Sequence, residues 1–284
     1  MIEVIAPGPY ATVQDLGRPG HGHLGVPRSG AADAPSLKLA NRLVGNPEGA
    51  AGIELTFGGA VLRFRHGAWT ALAGAPCPVA LTGARRGAPG MHAPFWVPAG
   101  GELRVGTPPA GLRTYLAVRG GVDEPPVLGS RSADSLSGLG PAPLAPGRVL
   151  PVGPTGGLPP ITVDAAPARG QAPDALRVLP GPRDDWFAPG ALAALCAQPY
   201  EVSQDSNRVG VRLLGRPLER ARGGELPSEG MVAGSLQVPP DGRPIVFLAD
   251  HPPTGGYPVI AVLAAADLAA AAQLRPGDRV RFRL

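Results

Sequence analysis

The sequence predicts a mainly β protein with a few short helices. Three observations carry that expectation. Short apolar runs recur along the whole chain. Glycine (42) and proline (37), together more than a quarter of the 284 residues, fall between those runs as turn residues do. Only a few segments carry the apolar spacing of a helix. A Gly and Pro share this high without a period can also accompany disorder, but the recurring apolar runs and a hydrophobic fraction of 44% argue for packed cores.

The chain opens with a β run, Ile2 to Ala6, stopped by Pro7-Gly8-Pro9. A loop follows, punctuated by Gly17, Gly20, Gly22, Gly25 and Gly30. Residues 34–45 read as a helix, because Leu37, Ala40, Leu43 and Val44 share one face, Asp33 suits an N-cap and Pro35 suits the first turn. Gly45-Asn46-Pro47 ends it. Strands are expected at Ile53–Phe57, Ala60–Phe64, Trp69–Ala73, Val79–Thr82, Glu102–Val105 and Arg113–Val118. Leu62 to Arg65 and Glu102 to Val105 alternate with period two, the mark of a half-buried strand. Pro76 and Pro78 place the starts of the third and fourth runs at edges or turns.

Residues 141–173 are dense in Pro, Gly and Ala, with one β-like run at Ile161-Thr162-Val163, and read as a crossing between domains of residues 1–165 and 166–284. The second half resumes with Leu176–Leu179, a short helix from Pro189 to Ala197, and strands at Tyr200–Ser203, Val209–Leu213, Ser235–Val238, Ile245–Ala249, Val259–Leu263 and Arg279–Leu284. A late helix, Ala265–Leu274, is ended by Pro276-Gly277.

Composition excludes several classes. Lys38 is the only lysine, so the chain has no P-loop and no lysine-rich nucleic-acid patch. Zinc signatures, the G-x-S-x-G elbow and the dinucleotide fingerprint are absent. His21 and His23 read as solvated imidazoles rather than metal ligands. Cys77 and Cys196 read as two buried thiols, since a secreted disulfide scaffold carries more cysteines. Val259 to Leu274, interrupted by Asp267, is shorter than the roughly 20 residues a spanning helix needs. With no signal-peptide pattern, a cytoplasmic protein is expected, with neither membrane nor nucleic acid as partner.

Polar residues gather among glycines in three segments. The first holds Gln14, Asp15, Arg18, Arg28, Ser29, Gly30 and Asp33; the second runs from Gln204 to Gly210 with Asn207 and Arg208; the third spans Glu229, Gln237, Asp250 and Tyr257. Glycine allows close backbone approach to a ligand, and amide, carboxylate and guanidinium groups beside it suit a small polar substrate. Taken singly, Asp15, Asp33 and Asp205 also fit turn and helix caps.

The strings QDLGRPG, GVPRSGAAD, ANRLVGN, IELTFGG, SNRVGVRLLG, PSEGMVAGSLQVPPDGRPIVFLAD and PTGGYPVIAVLAAADL occur in that order. They resemble the biotin-dependent carboxyltransferase-like family, also called allophanate hydrolase subunit 2, over essentially the whole chain. The resemblance implies two cyclophilin-like β-barrel domains. Departures are small: Ala32 stands where the family commonly has Met, and Pro253 where it often has Thr. For a stand-alone chain of this size the resemblance implies one component of a multi-protein, ATP-dependent 5-oxoprolinase, the C-type subunit. It implies two partners as well: a cyclophilin-like B-type subunit and a separate A-type subunit. Together they would use ATP with Mg2+ to open 5-oxoproline to glutamate. Urea carboxylase belongs to the same family and implies the alternative, carboxyl transfer from carboxybiotin to urea or a related amide. Some relatives imply a third role, regulatory binding to a kinase-inhibitor-like partner.

On the 5-oxoprolinase reading, Asp15, Asp33, Glu229 and Asp250 are the candidates for proton transfer or for orienting the arginines. Arg28 and Arg208 suit the substrate carboxylate or a phosphate. Gln14, Asn207 and Gln237 suit the lactam amide, with Tyr257 beside them. Ser29 and Gly30 offer a hydroxyl and a backbone N–H to an oxyanion.

Overall fold

A computed structural model describes residues 1–82, 89–168, 173–224 and 226–284. The chain forms two compact units. The first holds Met1–Arg18, Asp33–Asp134 and Gly138–Gly170; the second holds Pro19–Ala32, Ser135–Ser137 and Gln171–Leu284. The division is therefore not a single cut, because two short segments from the first half of the chain belong to the second unit.

The first unit contains β1 (Ile2–Ala6), β2 (Tyr10–Gln14), α1 (Ala34–Leu43), β3 (Gly52–Thr56), β4 (Ala60–Phe64), β5 (Ala68–Gly74), β6 (Val79–Leu81), β7 (Pro94–Val97), β8 (Glu102–Val105), β9 (Arg113–Val118) and β10 (Val149–Leu150). They form two five-stranded sheets, ordered β10-β1-β4-β8-β6 and β2-β3-β9-β5-β7, with antiparallel pairing throughout. Alternation explains the packing. Ile2, Val4, Leu62, Phe64, Leu103 and Val105 from one sheet share a core with Val13, Ile53, Leu55, Leu72 and Leu116 from the other. On the opposite face of the second sheet, Ala40, Leu43 and Val44 of α1 and its C-terminal cap pack on Ala71, Ala73 and Ala117. β9 is consequently buried along its whole length.

Asp33 starts α1 as expected, its carboxylate accepting from Ser36 N at 3.1 Å and Ser36 Oγ at 2.7 Å. Gly45 follows the helix with φ +70; a Cβ there would lie 2.6 Å from the Arg119 guanidinium and 2.9 Å from Pro159 O, so both conformation and space require glycine.

The second unit contains β11 (Leu176–Pro180), α2 (Ala191–Ala197), β12 (Tyr200–Val202), β13 (Gly210–Leu214), β14 (Glu229–Gly230), β15 (Ser235–Gln237), β16 (Ile245–Phe247), β17 (Thr254–Gly255), β18 (Val259–Leu263), α3 (Leu268–Ala271), β19 (Arg279–Val280) and β20 (Phe282–Arg283). Eight strands run β19-β12-β13-β16-β15-β18-β11-β20. The two ends of this order, β19 and β20, are separated only by Arg281, so one C-terminal segment pairs with β12 at its start and with β11 at its end. The sheet is thereby nearly closed into a barrel, which removes the open edges that invite aggregation. Tyr200, Val202, Leu213, Leu236, Val246, Ile260, Leu263 and Phe282 fill it.

The mainly β class with a few short helices is what the chain forms. Several elements differ from the sequence reading. β2, β7, β10, β14 and β17 were not expected, and Ile161 to Val163 has no strand pairing and is largely exposed. β5 lies inside its sheet, with Pro76 beyond its end, whereas β6 is an edge strand. The late helix is a 3-10 turn, Ala265–Asp267, followed by α3 alone. Cys77 is buried, but Cys196 is only partly so. Residues 169–172 of the expected crossing lie outside the described residues.

Candidate functional site

In the second unit, the β13–β16 ladder places Arg208 beside Asp250. Gly210 pairs with Phe247, and the pairing continues past both strands through Leu248 N to Val209 O at 2.9 Å and Asp250 N to Arg208 O at 3.1 Å. Asn207 shapes the turn, its Oδ1 accepting from Val209 N at 2.8 Å. A Cβ on Gly210 would come within 2.8 Å of Ile245 Cγ2 and 3.1 Å of Val246 O, so the close pairing requires glycine there.

The two side chains then form a forked pair. Arg208 Nε donates to Asp250 Oδ2 at 2.9 Å and Nη2 to Asp250 Oδ1 at 3.0 Å, and both residues are almost fully buried. Nη2 also donates to Gly30 O at 2.6 Å. Ser135 donates to Asp250 Oδ2 from its hydroxyl at 2.7 Å and its amide at 3.0 Å. A buried, forked pair with further hydrogen bonds meets the conditions under which a buried charge is tolerated. It also joins four chain segments: the 203–210 turn, the loop after β16, the segment at Ser135 and the stretch at Ser29-Gly30.

That last stretch is unusual. Ser29 has φ +54, left-handed for a residue with a Cβ, a conformation that costs about 1–3 kcal/mol. Ser29 is 6% exposed, and its Oγ has no hydrogen-bond partner. Arg28, one residue earlier, is exposed.

A second group in this unit gathers around Gly255. Glu229 pairs with Gly255 across the short β14–β17 ladder, and a Cβ on Gly255 would lie 2.6 Å from Gln237 Nε2. Gln237 Nε2 donates to Tyr257 O at 3.2 Å, and Arg220 stands over the Tyr257 ring at 5.7 Å. Arg183 binds the Glu229 carboxylate. That hydrogen bond holds the Glu229 carboxyl below its ordinary range.

The remaining candidates lie in the first unit. Asp15 accepts from Gly17 N, Ser130 Oγ, Arg131 N and Ser132 Oγ at 2.5–2.7 Å. This carboxylate ties the loop after β2 to the Ser130–Ser132 segment. Gln14 is fully buried; its Nε2 donates to Thr12 Oγ1 and Ala133 O, both at 3.0 Å, and its Oε1 has no hydrogen-bond partner. Asp33 N donates to Tyr115 Oη at 2.8 Å, and that phenol donates to Glu54 Oε2 at 2.7 Å. Burial, reinforced by the Glu54 and Asp33 charges, pushes the Tyr115 phenol well above its ordinary range. Arg18 is buried with bonds to Val127 O and Ser132 O and lies 4.0 Å from Asp134.

Thus Gly30, Arg208 and Asp250 meet directly, flanked by Ser29 and Asn207, while Glu229, Gln237 and Tyr257 form a separate group. Gln14, Asp15 and Asp33 build the first unit. Ser135, Glu54 and Tyr115 were missed by the sequence reading. Ser135 had a signal, the serine-rich run from Ser130 to Ser137 between glycines. Glu54 and Tyr115 sit inside strands, where a search of glycine-rich loops does not look.

The family profile described as the carboxyltransferase domain, subdomain A and B, matches residues 24–284. The chain belongs to this family. It is 38% identical to the C subunit of 5-oxoprolinase from Escherichia coli, covering 99% of this chain and 90% of that protein. It is 34% identical to urea amidolyase of Lachancea kluyveri, again over 99% of this chain but only 17% of that protein. Among solved structures, TTHA0988 superposes with a TM-score of 0.88 at 41% identity, covering all of this chain and 55% of that one. The urea amidolyase of K. lactis superposes at 0.84 with 32% identity, over 99% of this chain and 18% of that one. The chain therefore spans nearly all of the bacterial protein, about half of TTHA0988 and less than a fifth of these two urea enzymes.

Proposed function

We propose that this chain is the C-type component of an ATP-dependent 5-oxoprolinase. One observation carries the reading: the match to the Escherichia coli C subunit extends over 90% of that protein, whereas the match to urea amidolyase covers only 17% of that one. The chain works in the cytoplasm with a B-type and an A-type subunit. The complex uses ATP with Mg2+ to activate the lactam carbonyl, and water then opens the ring to glutamate.

This chain's own part is to hold the substrate. A lactam amide is a poor electrophile, so its oxygen gains from hydrogen-bond donors aimed where charge develops. The buried Ser29 hydroxyl and the polar side chains around Gly255 suit an amide and a carboxylate. Among the described residues no three of His, Cys, Asp or Glu gather as a metal-holding group. ATP and Mg2+ are assigned to the complex as a whole.

Reconstitution tests the reading. Glutamate release from 5-oxoproline should require ATP and this chain together with both partner proteins. Carboxyl transfer from carboxybiotin to an amide is the second reading, favoured by the family match and by the urea relatives. Full activity in the presence of avidin excludes it.

A further inference from the structure

We propose that the cleft around Trp69 and Trp96 in the first unit binds a flat aromatic anion, one or two rings bearing a carboxylate or a phosphate. The cleft is separate from the groups described above, and the assignment stands whether or not the chain is a 5-oxoprolinase component.

The sheet places the two indoles together. Trp69 on β5 pairs directly with Trp96 on the edge strand β7, and residues paired across antiparallel strands share a face. Two-residue alternation puts Trp69 on the face of Ala71 and Ala73, where α1 packs. The helix covers the alanines, whereas the indoles stay 39% and 49% exposed. They meet edge to face, with ring centroids 5.8 Å apart and planes inclined at 68°. A Cβ on Gly67 would run into the Trp96 ring, so that indole takes its place only because residue 67 is glycine.

The indoles border a cavity of about 350 Å³, within the range of small-molecule pockets. Met1, also exposed, stands at the same wall, and His66, Thr155 and Arg119 supply polar neighbours. An exposed apolar surface rimmed by polar groups is the usual form of a binding site. Arg119 decides the charge of the ligand. Its backbone N–H donates to Trp69 O at 2.8 Å, and its guanidinium donates to Val44 O and Pro159 O, each at 2.8 Å. These carbonyl partners fix the cation without neutralising it. Among the described residues no aspartate or glutamate lines the cavity. The unopposed charge selects an anion. The two inclined rings select a flat ring that stacks on one indole and meets the edge of the other.

Calorimetric titration of the full chain tests this. Indole-3-acetate and phenyl phosphate probe the carboxylate and phosphate forms, and at least one should bind with a Kd below about 1 mM. Its uncharged counterpart, indole or phenol, should bind about tenfold more weakly or not at all. Trp96→Ala removes one ring at an exposed edge position; it should weaken binding about tenfold and leave the melting midpoint little changed. Gly67→Ala keeps both rings but displaces one, and should weaken binding as well; it carries the comparison if Trp96→Ala fails to fold. No saturable heat with either probe would overturn the proposal. Equal affinity for charged and uncharged rings would overturn it too, as would equal affinity of the wild type and the folded variants. If neither probe binds while Trp96→Ala no longer assembles with its partner proteins, the cleft is a protein interface and the proposal fails.

Discussion

Two arginine–carboxylate pairs in the second unit use the same chemistry in different surroundings. The Arg208 and Asp250 side chains are 3% and 0% exposed; those of Arg183 and Glu229 are 39% and 26% exposed. In the first pair the water that would solvate either charge is gone, so each group depends on the other and on Gly30 and Ser135. In the second, solvent competes with the bond and replaces it at little cost. A third pair lies between them: Arg177 is half-exposed, and the Asp267 carboxylate it forks onto is nearly buried. The difference teaches that an ion pair orders a site only where its partners cannot fall back on water.

Breaking the buried pair should have the largest effect. Asp250→Ala takes the forked carboxylate away from the buried Arg208, and unfolding measured in urea should show a loss of about 3–5 kcal/mol. A loss below about 1 kcal/mol, the scale of a surface pair, would erase the contrast. The intermediate pair should show itself through pH. The Arg177 hydrogen bond holds the Asp267 carboxyl below its ordinary range. A depressed carboxyl contributes stability that is present above its unfolded pKa, about 3.9, and is lost as pH falls through its folded value. Asp267→Asn should therefore lower stability at neutral pH and converge with the wild type in acid. A constant gap across the acid range would show that the carboxylate's charge is irrelevant.

The alkaline side offers a matching probe of the barrel core. Burial pushes the Tyr200 phenol up to about 12. A raised pKa contributes stability present below the unfolded value, about 10, and lost as pH rises through the folded one. Tyr200→Phe should flatten the stability loss between those two limits, read as the melting midpoint against pH. The smallest effect is expected at the exposed pair: Glu229→Gln should leave the melting midpoint unchanged. If it nevertheless lowers turnover, Glu229 acts on substrate and not on the fold.

Much of the fold was legible in the residues. The alternation in Leu62 to Arg65 and Glu102 to Val105 corresponds to β4 and β8, and Asp33 with Pro35 marks the start of α1. The misses have physical reasons. β2 has four of its five residues buried and so lacks a polar alternate face. β7 begins with proline and lies at a sheet edge. β10, β14 and β17 have two residues each, too few to show a period. Ile161 to Val163 has β-favouring side chains but no neighbouring strand to pair with.

The site was legible as residue types. Gly-rich loops pointed to Gly30, Arg208 and Asp250 among a larger set, and these three are joined by hydrogen bonds, whereas Gln14, Asp15 and Asp33 lie in the first unit. That Arg208 grips a backbone carbonyl from a segment nearly 180 residues away is a long-range contact that no local pattern encodes. The membership of residues 19–32 in the second unit was hidden for the same reason.

The most direct test is glutamate release from 5-oxoproline by the three-protein mixture with ATP, each component omitted in turn. The predicted result is release from the complete mixture and none without this chain. Equal release with and without it would contradict the assignment.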